Sequence, residues 1–156
     1  MKIYLMRGLP GCGKSTWIEE ELPKDEFGGN GNAVVCSTNF YHTIDGVYQY
    51  DPKRAGWAHN QCLLKYLATL QEKLVTTEYL VVDSTNTTLL ELSPYVRLAE
   101  AFGVEYEIVC LPCDLEIAAS AGIHSVPINT LLRMQQHLLT ELVPAHWKQV
   151  VVFPRR

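Results

Sequence analysis

Apolar and polar positions along the chain alternate between two rhythms. Short apolar runs rich in β-formers stand at 2–7 (KIYLMR), 33–37 (AVVCS), 79–83 (YLVVD) and 104–112 (VEYEIVCLP), with a shorter one, VVVF, at 150–153; all read as strands. YLVVD is uninterrupted, as expected of a strand buried on both faces, whereas VEYEI alternates. Elsewhere the period lengthens. Residues 55–75 carry apolar side chains at 58, 62, 63, 66, 67, 70 and 74, a helical repeat over five turns. Lys14 to Leu22 reads as a helix stopped by Pro23. Ser93 and Pro94 predict a helix start in a segment that ends at Gly103, a helical stretch is expected at 114–120, and after a turn at 122–127 another helix is expected over 128–142. Strands that alternate with helices predict an α/β fold in three layers, with a parallel central sheet covered on both faces and ligands at the carboxyl ends of its strands.

Composition narrows this. A chain of 156 residues with 47% hydrophobic content suits one domain spanning 1–156, and 19% charged residues give no disordered tract beyond a flexible tip at GGNGN, 28–32. A formal net charge of -4 argues against coating of nucleic acid by the whole surface but leaves room for a local contact with one strand end. No Lys or Arg occurs between Cys113 and Leu132. The apolar run at the N-terminus is too short for a signal-peptide core, and no segment has the length of a membrane span. Five cysteines, an odd number scattered through apolar segments, suit free thiols in a reducing compartment, so a cytoplasmic protein is expected.

The strongest chemical signal is Gly8-Leu-Pro-Gly-Cys-Gly13-Lys14-Ser15, a full match to the phosphate-loop pattern, with a strand before it and a helix after. Gly8, Gly11, Cys12, Gly13, Lys14, Ser15 and Thr16 form the expected nucleotide-binding set. The glycines let backbone N–H groups turn toward phosphate oxygens, Lys14 reaches the outer phosphates, and Ser15 supplies a hydroxyl for Mg²⁺. A chance glycine turn would not combine strand, spacing, Lys and Ser. Asp83, ending a buried strand, stands where a carboxylate of the metal shell belongs, with capping of the following turn as its alternative role. Ser84, Thr85, Asn86 and Thr87 add polar groups at an edge expected to face the ligand.

Together, RGLPGCGKST (7–16), DGVYQYDP (45–52), AHNQC (58–62), DSTNTT (83–88), PYVRLAEAFG (94–103), HSVP (124–127) and LLRM (131–134) resemble the P-loop kinase domain of the NEDD4-binding-protein-2-like family. That family is related to the kinase domain of phage polynucleotide kinases, and the resemblance covers about residues 2–137. It implies a kinase-type three-layer P-loop NTPase with a short lid at about 114–127, and transfer of the γ-phosphate of ATP, with Mg²⁺, to a 5′-hydroxyl. The implied partners are the nucleotide and a single-stranded nucleic acid 5′ end, with no membrane. Small free-standing members in bacteriophages imply a phage source and a host cytoplasm.

Two positions depart from the family pattern. Where the resemblance implies an Asp that accepts the proton of the acceptor hydroxyl, Ser37-Thr38 is followed by Asn39, which can orient a hydroxyl but lacks basicity, a contribution typically of about 10²- to 10⁴-fold. Where it implies a lid arginine, the chain reads Ala121-Gly-Ile-His-Ser-Val-Pro127, leaving Arg133 as the nearest substitute. The catalytic set expected is thus Lys14, Asn39, Asp83 and Arg133, with Ser15 and Asp83 on the metal. Retained binding with weakened catalysis, a different acceptor with rearranged chemistry, and a substitution at 39 that traps a complex all fit these departures.

Weaker signals remain open. His59 reads equally as a packed or surface histidine or as a site residue, whereas His124, before Ser125-Val126-Pro127 at the lid, reads as a structural or lid-packing residue ahead of a phosphate contact. Cys110 and Cys113 form one C-x-x-C without a second ligand pair, which is little basis for zinc. Tyr41, Tyr48, Tyr50 and Trp57 either stack a base or pack an ordinary loop, and the adjacent Lys53 and Arg54 are candidates for an acceptor's backbone phosphate.

Overall fold

The computed structural model describes residues 1–24, 31–121 and 126–153. Five strands form one parallel sheet: β1 (Lys2–Arg7), β2 (Ala33–Ser37), β5 (Tyr79–Asp83), β6 (Glu105–Cys110) and β7 (Gln149–Val151), in the order β2-β5-β1-β6-β7. A two-stranded antiparallel hairpin, β3 (Thr43–Ile44) and β4 (Val47–Tyr48), stands apart from it. The helices are α1 (Lys14–Glu21), α2 (Ala55–Glu72), α3 (Leu89–Ala101), α4 (Leu115–Ala121) and α5 (Ile128–Thr140), with short 3₁₀ turns at Thr38–His42 and Pro52–Arg54.

The side-chain period of two divides the core. Ile3 and Leu5 of β1, Leu80 and Val82 of β5 and Ile108 of β6 point to one face, where they meet Cys62, Tyr66 and Leu70 of α2 and Leu92, Val96 and Ala99 of α3. Met6, Val81 and Val109 point to the other face, against Ile18 and Leu22 with Ala118 of α4, and Met134 and Leu138 of α5 pack there too. YLVVD is buried on both sides, as its unbroken apolar run predicts, and the expected three-layer α/β architecture is what forms. Each fully buried aliphatic side chain contributes about 1.5–3 kcal/mol, which makes the two faces the main source of stability.

The element boundaries differ where a local hydrogen bond outweighs the sequence signal. The third helix starts at Leu89, not near Pro94, because the Thr88 hydroxyl oxygen accepts from the Glu91 N–H at 3.2 Å. Pro94 sits inside the helix, where it leaves the Leu90 carbonyl without its usual donor; Leu90 is 83% exposed, so that carbonyl lies on a face open to water. The last helix ends at Thr140 and not 142, since Glu141 turns its carboxylate to the Leu89 N–H (3.1 Å) and its carbonyl to Arg7 (2.6 Å). The hairpin was not expected, although Asp45-Gly46 has the signature of a two-residue turn with both φ positive, here 50° and 78°. The tip expected at 28–32 lies largely outside the described residues, as does the centre of the expected lid at 122–125 with His124.

Candidate functional site

The carboxyl ends of β1, β2 and β5 converge on one edge, and the loop from Gly8 to Gly13 crosses it before α1 begins. Gly11 (φ 78°) and Gly13 (φ 95°) adopt the left-handed backbone that a phosphate loop needs. Gly8 is required by contact: a Cβ there would lie 2.7 Å from the Cys12 sulfur and 2.9 Å from the Leu111 carbonyl oxygen. Cys12 is buried under the loop, and burial raises its thiol above the usual range while Lys14 opposes. Its side chain packs in the core cluster with Leu9, Ile18 and Leu111.

Lys14 is buried, and its ammonium donates to the carbonyls of Leu9 (2.8 Å) and Gly8 (3.1 Å). The loop therefore carries a preorganised cation whose hydrogen bonds, among the described residues, go to neutral acceptors, which anionic oxygens would replace with stronger, charge-assisted bonds. Ser15 and Thr16 lie exposed at the start of α1. The Ser15 hydroxyl donates to Asp83 Oδ2 at 3.2 Å, so the two residues expected to share a metal do meet. Burial raises the Asp83 carboxyl above its usual range, with Lys14 and the Ser15 bond opposing. Among the described residues there is no cluster of three or more His, Cys, Asp or Glu. A hydroxyl plus one half-buried carboxylate instead suits a hard cation such as Mg²⁺, which completes its shell with water and phosphate oxygens.

Asn39 lies two residues beyond Ser37, which stands in register with Asp83. Its N–H donates to the Ser37 hydroxyl (3.3 Å) and its carbonyl accepts from the Thr43 hydroxyl (2.8 Å), which fixes the backbone and leaves the side-chain amide at the edge, half-buried. Arg133 is not brought to this centre by any hydrogen bond or ion pair among the described residues. It is exposed on α5, one residue before Met134, which packs against the cluster holding Leu9 and Cys12.

Three features escaped the sequence. Arg7, 5% exposed, donates from Nε to the Asn86 carbonyl (3.0 Å) and from Nη2 to the carbonyls of Thr87 (3.0 Å) and Glu141 (2.6 Å). Asn86, in the left-handed region at φ 44°, donates from Nδ2 to the Met6 carbonyl at 2.8 Å. With Ser84, Asn86 and Thr87 buried, most of the polar segment expected to face a ligand braces the phosphate loop, and the Thr85 carbonyl takes the Gly8 N–H at 3.0 Å. Beside the loop opens a cleft of about 200 Å³ walled by Gly13, Thr16, Trp17, Leu111, Val152 and Phe153 together with the acidic Glu20 and Glu21.

The segment after β2 forms an arm against α2. Tyr41 meets Trp57 edge to face at 5.6 Å, Arg54 lies over the Trp57 ring at 4.9 Å, and Lys65 over Phe40 at 5.2 Å. Phe40 (55%), Tyr50 (57%) and Trp57 (46%) remain largely exposed, far above what a packed loop needs.

The chain is similar in sequence or fold to known proteins. NEDD4-binding protein 2 of Homo sapiens is 30% identical over 141 residues, 86% of this chain but only 7% of that protein's length. A gluconokinase from Sinorhizobium meliloti shares the fold with a TM-score of 0.55 at 18% identity, over 97% of this chain and 82% of its own. The AvrRxo1-ORF1:ORF2 structure with ATP gives 0.52 at 13% identity, over 77% of this chain and 39% of that one. The profile of the AAA domain family AAA_33 matches residues 3–121, and with a phosphate loop on a five-stranded parallel sheet of the P-loop kinase type, the chain belongs to that family.

Proposed function

We propose that the chain is an ATP-dependent kinase that transfers the γ-phosphate to a 5′-hydroxyl at a single-stranded nucleic acid end. The observation that carries this reading is the pairing of a phosphate loop, with its Ser15–Asp83 contact, and an exposed aromatic arm, flanked by cations, that begins at the turn carrying Asn39. Aromatic faces stack bases with little sequence preference, and Lys53 and Arg54 at the foot of the arm suit a backbone phosphate. The ATP in the AvrRxo1 structure and the 5′-kinase resemblance support the donor and the acceptor respectively.

In this reading the donor's base occupies the cleft of Trp17, Leu111, Val152 and Phe153, and its phosphates lie on the N–H groups of the loop. Lys14 neutralises the outer phosphates, and Ser15 and Asp83 would hold Mg²⁺, which would offset charge on the transferring group. Asn39 orients the acceptor hydroxyl. The hydroxyl oxygen bonds to the γ-phosphorus as the bond to the bridging oxygen breaks and ADP leaves, and the hydroxyl proton passes to solvent, because an amide does not take it. Positioning and electrostatics supply most of the acceleration in such transfers, so the reaction survives the missing base at reduced rate. Arg133 would approach the transferring group from α5.

A second reading is favoured by Asn39 itself: a nucleotide-binding module with impaired turnover. Transfer of labelled γ-phosphate from ATP to DNA and RNA oligonucleotides, with 5′-phosphorylated oligonucleotides as blocked controls, separates the two. Acceptor-dependent label on free 5′ ends supports the kinase; tight ATP retention without transfer supports the module.

A further inference from the structure

The arm holds a buried group that the proposed chemistry does not use. His42 ends the 3₁₀ turn that carries Asn39 and leads into the hairpin. It is 4% exposed, and its Nδ1 has no hydrogen-bond partner among the described residues. Its ring lies 5.0 Å from that of Tyr50 and 6.1 Å from that of Tyr48, and its carbonyl accepts from the Gln49 N–H at 2.7 Å, closing the base of the hairpin.

The groups around it make a neutral imidazole acceptable and a charged one unwelcome. Tyr48 and Tyr50 face it from the hairpin side, Arg54 from the turn before α2, His59 from α2 itself, and Asp51 from the intervening loop. Asp51 is the one carboxylate in this set, and its Oδ1 already accepts from the Lys53 N–H at 2.9 Å. Burial holds the imidazole below its usual 6.5, Arg54 and His59 act in the same direction, and Asp51 opposes. A neutral ring can stay buried with one idle nitrogen at modest expense, whereas an unpaired cation cannot.

We propose that His42 is a positioning residue and a proton-sensitive latch: neutral, it seats residues 43–50 on the 3₁₀ turn that carries Asn39, and on protonation it leaves its seat and withdraws the hairpin from the acceptor edge. The link to acceptor binding rests on the kinase reading above; the latch does not. Because the closed arm favours the neutral ring, closure is at full strength above pH 6.5 and weakens as pH falls below it.

The test is amide hydrogen exchange of the parent and His42→Phe between pH 5.5 and 7.5, with the KM for an oligonucleotide acceptor measured alongside. In the parent, protection of the Gln49 amide is expected to fall relative to His42→Phe by up to about tenfold per pH unit below 6.5, while strand 79–83 keeps its protection. The acceptor KM should rise in step and the ATP KM should not. Protection that stays flat in the parent, or falls equally in His42→Phe, overturns the latch. Should the Phe variant fail to fold, the parent alone decides: arm protection lost against a steady 79–83 supports the latch, and uniform change refutes it. Loss of arm protection without phosphate transfer at any pH would leave the latch standing and remove the kinase reading.

Discussion

Arg7 offers the sharpest energetic test, because one buried guanidinium joins the end of β1, the loop after β5 and the end of α5 through three carbonyl acceptors. Arg7→Met keeps the stem and removes every donor. Hydrogen bonds from a charged group contribute about 1.5–3 kcal/mol each, so the gross loss is about 5–9 kcal/mol. Removing a buried charge also relieves its desolvation, worth several kcal/mol, which leaves a net destabilisation of about 3 kcal/mol. With a urea slope of about 2 kcal/mol/M, the unfolding midpoint should fall by about 1.5 M. Arg7→Lys, a point charge without the planar fork, should recover only part of this. The effect should reach the site, since the loop that Arg7 holds also takes the Gly8 N–H and follows Asp83 directly. Urea unfolding followed by circular dichroism decides the matter, and a midpoint within about 0.5 M of the parent would refute the bracing role.

Other consequences are equally concrete. Gly8→Ala should weaken ATP binding at least about tenfold, or 1.4 kcal/mol, by calorimetry; Cys12→Ala should not rescue it, because the Leu111 carbonyl oxygen remains 2.9 Å from the new Cβ. Burial raises the Asp83 carboxyl, so folding favours its protonated form and stability falls as pH rises from the usual 3.8 through the raised value. Asp83→Asn should therefore melt later than the parent at pH 7 without ligand, yet bind Mg–ATP more weakly; parallel losses in both would contradict this. Trp57→Ala removes a stacking face worth about 1–3 kcal/mol per base, and should raise the oligonucleotide KM about tenfold with little change in that for ATP.

Much of the frame was legible in the sequence for a physical reason: strands buried on both faces leave unbroken apolar runs, and a phosphate loop needs glycines at fixed spacing. YLVVD and GLPGCGKS read correctly on those grounds. Helix limits were less legible, because they depend on single polar bonds. Thr88-x-x-Glu91 is a capping signal, but Ser93-Pro94 imitates one a turn later. The Asp45-Gly46 turn was equally available, and its strands of two residues each are too short to show a period. Arg7 and Asn86 stand in segments that the sequence marks, but nothing in it shows that they brace the loop. Their partners are backbone carbonyls about 80 residues away or farther, identical in every sequence. The same holds for His42, whose isolation is set by what surrounds it.

The proposed kinase depends on Asn39 standing at an intact acceptor edge. This is tested most directly by acceptor-dependent transfer of the γ-phosphate for the parent beside Asn39→Asp. A carboxylate restores the base, so the account predicts that the variant transfers about 10²- to 10⁴-fold faster on the same oligonucleotides with an unchanged acceptor KM. No transfer by either protein, with ATP still bound by both, would contradict it.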